Sequence, residues 1–545
     1  MKWWGWGAEG TRYPLPESAR RHLVEVLELG PMEPWRPDLG AIRMPETRLS
    51  EADALALGGD LGEDGLRQDS GDRVLHAVGR SYRDVVRLRR GRLPLAPDAI
   101  VYPANAQELR RVLERCASRG WAVVPFGGGT SVVGGVEPRP GAVERPVVTV
   151  DLARLDRAIA VDPASRTATF EAGIKGPALE AQLARYGLSL GHFPQSFEFS
   201  TLGGWVATRS AGQASTGNGR IEDMVVGLVM DAPSTEIRAG GFPGTAAGPD
   251  LASLLVGSEG CLGIIREVTV RVRELPRSTP AHAFLFRNFS QGWQAMRDIA
   301  ARPHRPTIIR LSDEAETELF LHLSPPSSSR SRLAQALGSS YAAARGFPLP
   351  GSCLMLFTFE GEESETKVGM ASTRALLRRH GGLDLGASPA RKWRQDRFHH
   401  PYLRDELLDM GALVDTLETC APWGRLGDLY GEVQEALRTS LAETGSESRV
   451  LCHVSHIYED GASLYFTFFG RQDSGDPEGQ WDVVKRAASD AIARAGGTIT
   501  HHHAVGYEHR PWLEQEITPA GLRLLRHCAD DFDPTGIMNP DKMLG

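Results

Sequence analysis

The stretch Pro125-Phe126-Gly127-Gly128-Gly129-Thr130-Ser131-Val132-Val133-Gly134-Gly135 joins a hydrophobic, strand-like run to a loop made almost wholly of glycine and hydroxyl residues. Upstream, Leu109, Val112, Leu113 and Cys116 recur at i, i+3, i+4 and i+7, the spacing of an amphipathic helix, and residues 121–126 read as a buried strand. Glycines lack Cβ atoms, so they adopt positive φ and turn several amide N–H groups toward one anion; Thr130 and Ser131 add hydroxyl donors. A pyrophosphate suits such a loop. Taken alone, the stretch reads equally well as a plain turn between strands.

A second loop of the same chemistry, Gly257-Ser258-Glu259-Gly260-Cys261-Leu262-Gly263, precedes the β-branched run that opens with Ile264 and Ile265. Between the two lie Pro194-Gln195-Ser196-Phe197-Glu198-Phe199-Ser200-Thr201-Leu202-Gly203-Gly204-Trp205 and Thr208-Arg209-Ser210-Ala211-Gly212. Around these loops, residues 147–150, 158–161 and 167–171 are strand-like, and Leu179, Leu183 and Tyr186 mark a helix face. Alternation of strand and helix over residues 97–274 predicts an α/β domain, and three small-residue loops within it point to one extended ligand. Gly5-Trp6-Gly7-Ala8-Glu9-Gly10 satisfies the GxGxxG expression, but no strand precedes it, so it is no dinucleotide fingerprint.

At 545 residues the chain can bury at least two cores, since single domains stop growing at about 250 to 300 residues. We expect an arm or cover (1–96), a ligand-binding domain (97–275), a cap (276–500) and a C-terminal segment that returns to the ligand site (501–545). The arm is rich in charge and proline and reads as irregular, with one helix near residues 82–90. In the cap, residues 283–286, 307–311, 353–359 and 463–469 are strand-like, and a helix is expected near 362–380. A substrate cleft is expected at the domain boundary. Ser324-Pro325-Pro326-Ser327-Ser328-Ser329-Arg330 reads as a loop.

Net charge is −8, so nothing electrostatic favours nucleic acid. The six cysteines form no CxxC pair and read as reduced thiols. There is no apolar run of about 18 residues and no signal-peptide core, and Lys542-Met543-Leu544-Gly545 is no peroxisomal address. A cytoplasmic enzyme is expected. The three N-terminal tryptophans are expected to pack against the body of the protein rather than a membrane interface.

His501, His502 and His503 follow Thr498-Ile499-Thr500 and are expected at a strand end, His501 and His503 on one face and His502 on the other. No cysteine or carboxylate stands at a supporting spacing, so no metal is assigned, and surface histidines are the plain reading. Tyr465 reads as a core aromatic of an alternating strand. Arg404 suits a phosphate or carboxylate, or an ion pair with Asp405 or Glu406. Arg310 reads as a strand-end charge.

Taken together these stretches resemble the FAD-binding flavoproteins of the vanillyl-alcohol oxidase type, and within them the alkyldihydroxyacetonephosphate synthases. The resemblance also includes Lys2-Trp3-Trp4-Gly5-Trp6-Gly7, Glu418-Thr419-Cys420-Ala421-Pro422-Trp423 and His501-His502-His503-Ala504-Val505-Gly506, in order along nearly the whole chain. It implies two α/β subdomains with FAD between them under an α+β cap. By position, FAD would be held by Pro125 to Ser131, Gln195, Ser196, Glu198, Ser200, Thr201, Thr208, Arg209, Ser210, Ala211, Glu259, Gly260, Leu262, Gly263, Ile264 and Ile265. The 125–135 loop carries no histidine or cysteine, so the FAD is expected to be noncovalent.

The resemblance further implies that Tyr465 is an essential tyrosine and that the three histidines move protons beside flavin and substrate. Arg404 would hold an anionic head group, and Arg310 falls on a required arginine. The implied reaction exchanges the acyl chain of acyl-dihydroxyacetone phosphate for a long-chain alcohol, with no net redox. A homodimer in peripheral membrane contact is implied as well. The chain departs from the family pattern in residues 213–223, in Gly191-His192-Phe193-Pro194-Gln195, at Gly244, and at Ala504, where glycine is usual. The alternatives are an FAD-dependent oxidoreductase oxidising a 2-hydroxy acid, and a non-catalytic flavin-binding or lipid-carrier protein.

Overall fold

The computed structural model describes the chain apart from residues 32–34, 63 and 325–328, and over 329–335 the backbone alone. The helix Ala106–Arg119 begins where the Asn105 side chain accepts the Glu108 N–H at 3.0 Å and ends at Gly120, whose φ is +68°. Its Leu109, Val112, Leu113 and Cys116 are fully buried, the face that the sequence spacing calls for. The strand Ala122–Phe126 follows and runs parallel to Val147–Asp151, which pairs in parallel with Ala99–Val101. Adjacent parallel strands need a crossover, commonly a helix. Here residues 127–146 make it without one, so the glycine loop is the exit from a buried strand.

A second sheet is antiparallel, in the order Ala158–Asp162, Thr167–Glu171, Ile264–Arg271, Val225–Asp231, Glu236–Gly240. The two sheets share one apolar core, which includes Val123, Val148, Phe170, Trp205 and Val268. The cap is a seven-stranded antiparallel sheet in the order Leu383–Gly386, Ala281–Phe286, Cys353–Thr358, Ile308–Ser312, Ser448–Ile457, Gly461–Arg471, Ala412–Pro422. The helices Phe289–Ala300, Leu426–Glu443 and Pro477–Ala495 cover one face through Met296, Leu429, Val433 and Trp481, packed on Phe466 and Phe468. Because side chains alternate across a strand, Tyr465, one residue before Phe466, points to the other face.

The expectation of an irregular N-terminal arm is corrected. Besides Tyr82–Arg89, residues 1–96 form helices Glu17–Val26, Glu51–Gly59 and Ser70–Leu75. Two of them start at clear caps, with Ser50 and Asp69 side chains each accepting an N–H at 3.1 Å. Tyr186 lies beyond the helix Gly176–Ala184 and is exposed, so it marks no helix face. The expected 324–330 loop falls mostly outside the described residues, and Ser329 begins a helix, Ser329–Ala344. Trp6 is buried edge-on against Phe199 at 5.6 Å, and Trp4 lies under the Arg36 guanidinium at 4.1 Å. All six cysteines are unpaired.

Phe466 has no exposed surface and sits between the cap sheet and its helices. Phe466→Ala is expected to cost about 3–5 kcal/mol of stability, read as a lower urea midpoint with FAD in excess. An unchanged midpoint would refute this account of the cap core.

Candidate functional site

The loops that resemblance assigns to FAD pack on one another through the side chains glycine lacks. A Cβ on Gly127 would overlap the Thr201 hydroxyl, one on Gly128 the Phe199 carbonyl, and one on Gly260 would lie 2.8 Å from the Pro125 ring. Among the described residues, the backbone N–H groups of residues 127–132 have no protein acceptor. A row of free amides at the end of a strand fits a diphosphate, and the site therefore fits FAD. Glu259, at φ +50°, accepts the Val505 and Gly506 N–H groups, each at 2.7 Å. Burial raises its carboxyl to about 7 against these two bonds. Asn539 then ties Glu259 to the glycine loop, donating to the carbonyls of Glu259 (2.6 Å) and Gly135 (3.2 Å).

The remaining assigned residues divide. Ser200 accepts the Trp205 indole N–H at 2.7 Å, Thr201 caps the helix Leu202–Ala207, and Thr208 bonds back to the Gly204 carbonyl at 2.8 Å. Arg209 holds φ +51° and pairs with Glu222 at 3.2 Å, and Ser210 meets His192 at 3.2 Å. Ser196 accepts the Ser200 hydroxyl through its carbonyl at 3.0 Å. Ala211, Leu262, Ile264 and Ile265 are buried, and a Cβ on Gly263 would lie 2.8 Å from the Asp231 carbonyl. Gln195 and Glu198 instead engage the cap: Gln195 donates to the Arg397 carbonyl at 2.6 Å and Glu198 accepts the Tyr402 hydroxyl at 3.0 Å.

The three histidines do not end a strand, and this corrects the alternating arrangement expected for them. They lie in irregular backbone after the helix Pro477–Ala495, gathered around one carboxylate. Glu418 accepts the backbone N–H groups of His501 (2.8 Å), His502 (2.7 Å) and His503 (2.8 Å) and the Thr500 hydroxyl (2.9 Å). The rings fan outward, with centroids 5.3 Å apart from His501 to His502 and 4.8 Å from His502 to His503. Glu418 is thus the carboxylate that the local sequence lacks, brought from a distant strand. Its oxygens are filled by loop donors, which makes it an anchor for the loop.

Cross-strand register extends the site. Glu418 stands opposite Tyr465, and Tyr465 opposite His453, one row across three strands. Tyr465 stacks on His453 (4.9 Å, 21°) and lies near-parallel to His502 (6.1 Å, 20°). His453 meets Glu316 at 3.0 Å, and Arg310 bonds both Glu316 (2.7 Å) and His453 (3.0 Å). Arg310, Tyr465 and the histidine loop therefore form one connected cluster. Arg404 donates to the Arg80 carbonyl, while its Nε and Nη2 are buried without a partner. Neither expected acid pairs with it, because Asp405 accepts the Trp6 N–H at 3.0 Å and Glu406 pairs with Arg12 at 3.4 Å.

His453, His456 and His192 carried no role in the sequence reading. His456 reaches the Gly212 carbonyl at 2.9 Å and so joins cap to flavin loop. His192 is buried with Nδ1 unpartnered. Burial pushes His192, His456 and His503 down to about 3 and His453 to about 4, and holds His501 well below the ordinary value. Burial raises the Tyr465 phenol to about 12. Burial alone would raise Glu418 too, yet its histidine neighbours hold it well below the carboxylate range. The site thus contains neutral imidazoles at His192, His453, His456, His501 and His503, a neutral phenol and one ionised carboxylate.

Residues 97–239 match the family described as FAD binding domain, and residues 275–543 that described as FAD linked oxidases, C-terminal domain. The alkyldihydroxyacetonephosphate synthase of Dictyostelium discoideum is 35% identical over 484 residues, 88% of this chain and 79% of its own length. That of Trypanosoma brucei brucei is 31% identical, covering 100% of this chain and 92% of its own. A solved alkyldihydroxyacetonephosphate synthase superposes with a TM-score of 0.85 at 30% identity, over 99% of this chain and 98% of that one. FAD is the cofactor of this fold, and the chain belongs to the alkyldihydroxyacetonephosphate synthase family.

Proposed function

We propose that this protein exchanges the acyl chain of acyl-dihydroxyacetone phosphate for a fatty alcohol, giving an alkyl ether and a free fatty acid for ether-lipid synthesis. The row of His453, Tyr465 and the Glu418-anchored histidines carries the reading. In this exchange the alcohol must lose its proton, and the neutral imidazoles of His453, His501 and His503 beside a neutral phenol offer both acceptor and donor. When bound, FAD supplies an electrophilic isoalloxazine face for the substrate carbon, with no net electron transfer. The free amides of residues 127–132 and the Glu259 turn would hold its diphosphate.

Arg404 is assigned to the substrate phosphate. A buried guanidinium with two free donors is costly unless an anion completes it, and phosphate accepts such a fork. Arg310 is a positioning residue, since its bonds to Glu316 and His453 orient the imidazole that stacks on Tyr465. The family resemblance suggests a homodimer in peripheral membrane contact, and a cytoplasmic location is our reading of a sequence without a recognisable targeting signal. Among the described residues no helix is long and apolar enough to cross a membrane.

Anaerobic incubation of FAD-loaded protein with an acyl-dihydroxyacetone phosphate and a long-chain alcohol should yield the ether and the fatty acid, identified by mass, with the flavin still oxidised. No ether, with bleaching by a 2-hydroxy acid instead, would replace this reading by the oxidoreductase. Arg404→Met should raise KM for the phosphate substrate roughly 10- to 100-fold at unchanged FAD content; an unchanged KM would remove Arg404 from the phosphate site. Gly128→Ala should abolish FAD retention, because its Cβ meets backbone that cannot yield. With a base among His453, His501 and His503, kcat/KM should hold as pH falls through 6.5 and decline only nearer the depressed values, about 4 for His453 and about 3 for His503, with His501 also held well below the ordinary imidazole value by burial. A limb near 6.5 would exclude these three as the base.

A further inference from the structure

Away from the flavin, the first helix Glu17–Val26 crosses the cap helix Glu314–Leu323. Leu23 and Leu27 bury against Val414, Leu451 and Phe469, with Leu319 and Ala315 packed alongside, and the Ser18 hydroxyl donates to the His322 carbonyl at 2.6 Å. One turn beyond Ser18, His22 lies flat against His322, centroids 4.2 Å apart and planes 12° apart. Glu318 stands one turn before His322 on the same helix face. One ligand atom from each of His22, Glu318 and His322 lies within 4.8 Å of the others, and all three are half-buried.

We propose that His22, Glu318 and His322 bind one divalent transition-metal ion, with zinc the expected occupant. Two imidazoles and one carboxylate are a ligand set that zinc accepts, and partial exposure leaves the fourth position to water. Zinc–ligand bonds of about 2.0–2.2 Å bring tetrahedral ligand atoms to roughly 3.3–3.5 Å of one another. The present spacing therefore contracts by side-chain rotation alone, while Ser18 and the leucines hold the two helices. The hydrogen-bonded pair Glu318–Arg449 is the competitor: the ion must share or displace the guanidinium. A bound ion staples the N-terminal helix to the helix that carries Glu316, the partner of Arg310 and His453. It is distinct from the Glu418 cluster, whose oxygens are filled by backbone donors.

The test uses the full chain loaded with FAD, stripped by chelator and titrated calorimetrically with zinc, then with cobalt as a spectroscopic probe. One equivalent should bind with Kd below about 10 μM, and cobalt should give visible bands of a four-coordinate nitrogen and oxygen site. His22→Ala and His322→Ala should each weaken binding at least tenfold at unchanged FAD content. Arg449→Met should tighten it, an effect that a merely structural ion pair would not produce. No ion bound by the wild type at that concentration, absent cobalt bands, or equal affinity in wild type and His22→Ala would each overturn the proposal. Should an alanine variant fail to fold, the cobalt spectrum of the wild type and the Arg449→Met titration decide it alone.

Discussion

Glu418 is almost wholly buried and ionised, and burying such a charge without partners costs several kcal/mol. The cost is offset by three consecutive backbone N–H groups and a hydroxyl, all from a segment with no secondary structure of its own. The carboxylate and the loop order each other. Since Glu418 shares a sheet row with Tyr465 and His453, holding the loop there also delivers its imidazoles to that row. Arg220 extends the coupling to the flavin domain, donating to the carbonyls of His501 (2.7 Å) and Arg209 (2.9 Å). Groups from two strands, a loop and the flavin-binding domain thus share a single electrostatic anchor.

Local periodicity made much of the fold legible. The Leu109, Val112, Leu113, Cys116 spacing and the glycines after Phe126 are recorded in neighbouring residues, and the structure realises them with small changes at the ends. The same signals stood at Ser50 and Asp69, but charge and proline around them masked two short helices. The strand expected before His501 is absent for a different reason. The alternating apolar pattern of residues 498–500 is not decisive when an acid 80 positions away supplies the hydrogen-bond partners that another strand would have supplied.

The site was legible as residue types and not as partnerships. Tyr465, Arg404, Arg310 and the histidines could be singled out, yet His453 joins them only through the sheet register, which no short stretch encodes. Asp405 and Glu406 looked like partners for Arg404 by adjacency. They are taken by Trp6, Lys2 and Arg12, so the arginine's free edge is a product of long-range packing by the arm. Ala504 was visible as an alanine in a glycine position, and its φ of +76° supplies the physical reason: the turn that presents Val505 and Gly506 to Glu259 needs the left-handed region.

The last residues of the chain return to its first parallel sheet. Val123 donates to the Ile537 carbonyl and accepts the Asn539 N–H, each at 2.8 Å, and Lys542 is fully buried, donating to the Glu137 carbonyl at 2.5 Å. During synthesis, the strand and the glycine loop leave the ribosome some four hundred residues before the segment that closes over them. The glycine loop is therefore left open on one side until residues 537–542 have emerged. A chain stalled before residue 537 has made the strand and the loop but lacks the Ile537, Asn539 and Lys542 hydrogen bonds that close over them, so the domain is completed only when that distant segment arrives.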